Sequence, residues 1–149
     1  MIALSGGVSG CVGRLVLDDQ IEEAESTLLK FSEIFGDRFY MEIQRHGMDQ
    51  QRKSESILLD LAYKHNVRIV ATNDCYFDIE EMHEAHNILL CIAESNTITN
   101  PNRRQLTKEH RFKSADEMKQ LFSDLPEAIA NTLIIAQRCS YMPRTIEPI

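Results

Sequence analysis

The sequence predicts an α/β protein built from about three parallel βα units followed by C-terminal helices. Three observations carry this. Short runs at residues 1–4, 39–44 and 67–71 are apolar and β-branched, or alternate apolar with polar, and read as strands. Apolar residues at helical spacing fill the intervals between and after them. Each strand candidate runs into a turn-forming cluster: Ser5-Gly6-Gly7, Arg45-His46-Gly47 and Thr72-Asn73-Asp74. In parallel α/β folds chemistry sits just past the carboxyl ends of the strands, so these clusters are where a site is sought.

The totals bound the answer. A chain of 149 residues can bury one core. Its hydrophobic fraction of 43% and charged fraction of 26% are those of a globular protein. A net charge of −7 argues against binding nucleic acid through bulk charge, while leaving room for a local basic patch. Cys11, Cys75, Cys91 and Cys139 are widely spaced, with no Cys-x-x-Cys, which argues against a zinc finger or a disulfide framework. Reduced thiols and a cytoplasmic location are expected. No apolar run approaches the roughly 20 residues that cross a bilayer, and no basic n-region opens the chain. Neither a membrane association nor a signal peptide is expected.

Met1 to Leu4 reads as a strand entering a glycine-rich turn. The glycines could let backbone N–H groups approach a phosphate, but the spacing fits neither G-x-G-x-x-G nor G-x-x-x-x-G-K-[ST], which favours a plain tight turn. Asp18 or Asp19 is expected to cap a helix reaching Phe35, with Ile21, Ala24, Leu28, Phe31 and Phe35 inward and Gly36 ending it. Phe39 to Gln44 alternates as a second strand. His46, at its carboxyl end, is a ligand candidate or a hydrogen-bonded structural residue. Asp49 to His65 reads as a helix with Ile57, Leu58, Leu61 and Ala62 inward. The third strand then delivers Asp74, which either serves a site or caps the turn.

Ile79 to Ala93 reads as a helix with Met82, His86, Leu89 and Ile92 or Ala93 on one inward stripe. His83 and His86, three apart, share nearly one face and could form half of a metal site. His-Glu-Ala-His is not the His-Glu-x-x-His of a zinc protease, and a core role for His86 is the alternative. Residues 94–105 read as a loop. Arg103, Arg104, Lys108, Arg111 and Lys113 then form the sole basic cluster of an acidic chain. It could meet a phosphate backbone or be a solvated loop. Ser114 to Glu117 is a capping box opening a short helix with Met118, Leu121 and Phe122 inward. Asp124 and Pro126 open another, with Ala128, Ile129, Leu133, Ile134 or Ile135, and Ala136 inward.

Three βα units fall short of the eight of a closed barrel. With a strand starting at residue 1, the chain reads as the later part of a barrel or as a compact three-layer remnant. Four stretches then carry a resemblance. They are Phe39-Tyr40-Met41-Glu42-Ile43-Gln44-Arg45-His46-Gly47, Val70-Ala71-Thr72-Asn73-Asp74, the run from Glu84 to Ile92, and that from Leu125 to Leu133. Ser5-Gly6-Gly7 and Asn100-Pro101-Asn102-Arg103 fit as well. Together these resemble the bacterial DNA polymerase III alpha family, within its N-terminal polymerase and histidinol phosphatase (PHP) domain.

The resemblance implies a partial, distorted β/α barrel of TIM-like PHP type. Residues 1–140 would be the second half of that domain, and 141–149 an extended tail leading towards a polymerase palm. Metal-binding members carry a cysteine after the first Ser-Gly, where this chain has Gly7, and Asp-x-His where it has Asp74-Cys75-Tyr76. Asp74 would be a residual metal ligand; Cys11 and Cys75 are out of register. The implied role is a scaffold, with no catalytic residue and no cofactor of its own, supporting a parent DNA-directed DNA polymerase that uses Mg2+. The implied partners are the rest of the alpha chain, other replicase subunits such as the proofreading exonuclease and the sliding clamp, and DNA through the parent. The competing function is a metal-dependent phosphoesterase or 3′–5′ exonuclease, which needs Asp74, His46, His83 or His86 to converge.

Overall fold

In a computed structural model describing residues 1–145, three parallel strands form one sheet in the order β1 (Ala3–Leu4), β2 (Phe39–Ile43), β3 (Arg68–Ala71). Ala3 pairs with Phe39, Tyr40 with Arg68 and Ile43 with Ala71. Among the described residues six α-helices accompany it: α1 (Cys11–Leu17), α2 (Ile21–Phe35), α3 (Asp49–Lys64), α4 (His83–Ala93), α5 (Ala115–Leu121) and α6 (Pro126–Arg138). Residues 141–145 have no regular structure, and the rest of the expected tail, 146–149, lies outside the described residues.

β2 is central, and all five of its residues are buried despite their polar-apolar alternation. Strands buried on both faces by βα crossovers lose the one-sided pattern of an antiparallel sheet. Phe39, Met41 and Ile43 join Ile69 and Ala71 of β3 in a core closed by Val12 and Val16 of α1, Leu28 of α2, Leu58 and Leu61 of α3, and Phe122. Glu42, on the other parity, points its carboxylate across the strand ends.

Two turn features differ from the sequence reading. α1 is an additional helix, and Asp18 and Asp19 finish it rather than cap α2. Asp19 is left-handed (φ 59°), its N–H donates to Val16 O (3.2 Å), and Gln20 N–H donates to Leu15 O (2.8 Å). This is a Schellman ending, for which aspartate's tolerance of the left-handed region suffices. α1 can pack this tightly because Gly10 lies against the β1 turn. A Cβ at Gly10 would stand 1.8 Å from Ser5 O, and one at Gly13 2.2 Å from Gly7 O. Gly10→Ala is expected to destabilise the fold by about 3 kcal/mol through this overpacking, read as a lower urea midpoint.

The Ser114 capping box forms as expected: Glu117 N–H donates to Ser114 Oγ (3.3 Å) and Ser114 N–H donates to Glu117 Oε2 (2.8 Å). Ser114→Ala is expected to cost about 1 kcal/mol of unfolding free energy. α6 starts at Pro126 with Leu125, not Asp124, in the cap position. It runs along the β3 edge, where Asn131 Nδ2 donates to Ile69 O (2.8 Å) and stands in for a fourth strand. That docking turns Ala128 inward and leaves Leu133, Ile134 and Ala136 outward, against the expected stripe.

The larger departure is at α4. Residues 80–82 form a separate 3-10 turn, and the buried positions of α4 are Asn87 and Cys91. Met82, Leu89 and Ile92, expected inward, are exposed. Asn87 is anchored through His83, whose Nε2 lies 2.7 Å from Leu106 O and 3.2 Å from Asn87 Nδ2. Polar anchoring to the 94–112 segment has set the rotation of this helix, not its apolar stripe.

Candidate functional site

The carboxyl ends of all three strands meet at Glu42. Its backbone N–H donates to Ser5 Oγ (2.9 Å). Its carboxylate accepts the Gly6 N–H (3.0 Å), the Thr72 hydroxyl (2.5 Å) and the Gln44 amide (3.2 Å). The residue is 8% exposed, and no Lys or Arg is among its hydrogen-bond partners in the described residues. Uncharged donors replace its water, so the carboxylate acts as a knot between β1, β2 and β3.

His46 follows the end of β2 and is 1% exposed. Its backbone N–H donates to Gln51 Oε1 (2.6 Å), and the Gln51 amide nitrogen lies 2.9 Å from its Nδ1. An amide nitrogen only donates, so Nδ1 accepts and the neutral ring carries its proton on Nε2. That Nε2 finds no hydrogen-bond partner among the described residues. The His110 ring stacks on it with centroids 3.9 Å apart and planes 12° apart. Burial pushes the His46 pKa down to about 4, helped by the positive charge of His110 and Lys113, while the Asn73 amide and Asp74 carboxylate oppose. Burial lowers His110 too. At neutral pH both rings are uncharged.

His110 is held in place by a local motif. Thr107 and His110 form a capping box around the 3-10 turn Lys108–His110, and the Thr107 hydroxyl donates to His46 O (2.8 Å). The segment is then stitched to the end of β3. Tyr76 N–H donates to His110 O (2.9 Å), Phe112 N–H to Phe77 O (2.8 Å), and Asn73 Nδ2 to Arg111 O (2.8 Å). The stretch read as a basic loop is thus a strap across the strand ends.

This disperses the five basic side chains. Lys108 pairs with Glu80 (2.7 Å) and Arg111 with Glu117 (2.5 Å). Lys113 is buried, donates to Glu109 O and to Asn73 Oδ1 (3.3 Å), and lies 3.3 Å from the Glu109 carboxylate. Arg103 donates to Ile98 O (3.2 Å), and Arg104 donates to the Tyr76 hydroxyl (3.2 Å) with its guanidinium over that ring. Arg103 and Arg104 make no ion pair among the described residues, so they are the cations still available to an anionic ligand.

Asp74 is exposed at the strand end, close enough for its charge to act on His46 and His110. His83 and His86 instead face Phe77, at 5.8 and 5.5 Å between ring centroids. Among the described residues no three His, Cys, Asp or Glu side chains are grouped as a metal ligand set. The donors also do not fit a polynuclear centre: Nδ1 of His46 is taken by Gln51, and the Lys113 ammonium approaches Asn73 in the same cluster. Sequence reasoning missed Glu42, Gln51 and His110. The Thr107-x-x-His110 spacing and an acidic residue inside an otherwise apolar strand were the available signals.

Comparison with known proteins gives the relationship. The family model described as PHP domain matches residues 1–46. Over 149 residues, all of this chain, it is 46% identical to the DNA polymerase III subunit alpha of Caulobacter vibrioides (strain NA1000 / CB15N), covering 13% of that protein. It is 40% identical over 148 residues to the subunit of Rickettsia bellii (strain RML369-C), covering 99% of this chain and 13% of that one. It is 40% identical over 141 residues to that of Pasteurella multocida (strain Pm70), covering 94% and 12%. No helix among the described residues is long and apolar enough to cross a membrane. From end to end the chain is related to one segment of the DNA polymerase III alpha subunits, spanning about 13% of their length and opening in PHP-domain sequence.

Proposed function

We propose that the chain is a PHP-type scaffold of a DNA polymerase III alpha protein, holding the polymerase core without chemistry of its own. The observation that carries this is 46% identity over the whole chain to a polymerase subunit of which it spans only 13%. Residues 1–140 act as the second half of a partial, distorted β/α barrel. One feature supports a barrel over an open doubly wound sheet: the parallel strands follow one another in sequence order, with no reversal. In this reading, DNA synthesis, its Mg2+, and contacts with DNA, the proofreading exonuclease and the sliding clamp belong to the parent chain.

The strand-end residues support the scaffold role over the phosphoesterase or exonuclease one. Gln51 is spent on the Nδ1 and backbone N–H of His46, Glu42 on Gly6, Gln44 and Thr72, and Lys113 on Asn73 and Glu109 O. Asp74 is the residual ligand of the family pattern, and Arg103 and Arg104 are the remaining candidate phosphate contacts. Purified chain is expected to release no nucleotide from single-stranded DNA above the protein-free rate, with Mn2+ or Zn2+ present. Metal-dependent 3′–5′ degradation that Asp74→Asn abolishes would overturn the scaffold reading. Any DNA binding through Arg103 and Arg104 is expected to weaken steeply with salt and to fall in the Arg103→Ala/Arg104→Ala variant.

A further inference from the structure

We infer that the outward face of α4 is a docking surface for another segment of the polymerase alpha chain, one whose apolar stripe is flanked by Lys or Arg. The inference rests on the reading that this chain is part of such a protein. Met82, Ala85, Ile88, Leu89 and Ile92 recur at helical spacing along one side. Leu89 is 61% exposed, Ile92 70%, Met82 47% and Ile88 45%. Isolated exposed apolar residues are ordinary, but a continuous stripe along one helix marks an interaction site. The opposite side of α4 is already engaged, through His83 on Leu106 O and through Asn87 and Cys91, so the helix cannot roll its apolar stripe into the core without losing those bonds.

The occupant follows from charge and from length. Glu81 and Glu84 are exposed beside the stripe, and no cation among the described residues forms an ion pair with them. A nucleic acid is repelled by that rim. A second copy of α4 would set glutamates against glutamates. A helix-in-groove or helix-on-helix partner with basic flanks is complementary in both respects. The relatives that match this chain throughout carry about 87% of their length outside it, since it spans 13% of them, and so contain the polypeptide to supply such a segment.

The test compares backbone amide exchange in the 149-residue chain with that in a chimera. The chimera is the Caulobacter vibrioides alpha subunit with this chain replacing its homologous segment. Exchange at Glu84–Ala93 is expected to slow by about tenfold or more in the chimera, and Leu89→Glu/Ile92→Glu is expected to remove the slowing. Lys53→Glu, on the exposed polar side of α3, is expected to leave it intact. If α3 is protected in the chimera while α4 exchanges as fast as in the isolated chain, the docking inference is overturned and the parent reading stands. Protection of α4 already present in the isolated chain, together with a dimer that Leu89→Glu dissociates, assigns the face to a second copy and also overturns it. If α3 is protected in the isolated chain but not in the chimera, the parent reading itself fails.

Discussion

Arg45→Met lowers the unfolding free energy by about 3 kcal/mol, the largest effect expected from removing a polar side chain. The Arg45 guanidinium joins four elements. It donates to both Glu55 oxygens on α3 (2.5 and 3.1 Å), to both Asp124 oxygens before α6 (2.7 Å each), and to Leu121 O at the end of α5 (2.7 Å). It also lies 4.7 Å over the Phe122 ring, itself fully buried. Hydrogen bonding to Arg45 holds the Asp124 carboxyl below its ordinary pKa. Methionine fills the volume but strands one half-buried carboxylate and one carbonyl. Asp124 is 60% exposed and recovers water, which keeps the loss below that of a fully buried triad. Arg45→Lys is expected to restore less than half, because an ammonium cannot address two carboxylates bidentately. Urea midpoints of the three proteins decide this; an Arg45→Met midpoint equal to that of the unaltered chain removes the clamp from the account.

Acid weakens the fold in a window set by His46. Its folded pKa of about 4 lies below the ordinary histidine value near 6.5. Between those two values the unfolded chain holds a proton that the folded chain refuses, so stability is full above about pH 6.5 and falls as pH drops towards 4. The stability lost across this window is on the order of 3 kcal/mol. His110, lowered by the same burial, adds in the same direction. Carboxylates that are held down, such as Glu117 at about 2 through Arg111 and the Ser114 cap, act only at lower pH. His46→Phe keeps a ring against His110 and removes the proton site. Its stability is expected to be lower at pH 7 through the lost Gln51 contact, yet to change much less between pH 7 and 4.5. Parallel pH profiles for the two proteins would show that His46 does not govern the acid transition.

Length, periodicity and turn chemistry were enough to place the three parallel strands and the main helices. They also located the Ser114 cap and the Gly36 stop, and the four quoted stretches were enough to place the relationship. These are local matters: propensity, capping and spacing act within a few residues of chain. What they could not supply is which face of a helix meets what. The α4 stripe reads inward from periodicity, but a hydrogen-bonded anchor from His83 to Leu106 turns it outward. Leu133 and Ile134 follow the same logic, because α6 lies along the edge of β3 and offers that edge Asn131 instead. The five basic residues are clustered within eleven positions of sequence and dispersed in space, since the strap from Thr107 to Lys113 crosses the strand ends and spends its three cations on Glu80, Glu117 and Glu109.

The sequence by itself determined the α/β class, the order of the three strands and the kinship with a segment of the polymerase alpha subunits. Only the tertiary structure decided that His46, Gln51 and His110 form one buried polar cluster with Asp74 exposed near it, and that Glu42 ties the three strand ends through Ser5, Gly6 and Thr72. The physical reason is that a buried polar group is satisfied by whichever donors the fold brings within about 3 Å, and residues 46 and 110 become neighbours only once the end of β2 and the strap have closed on each other.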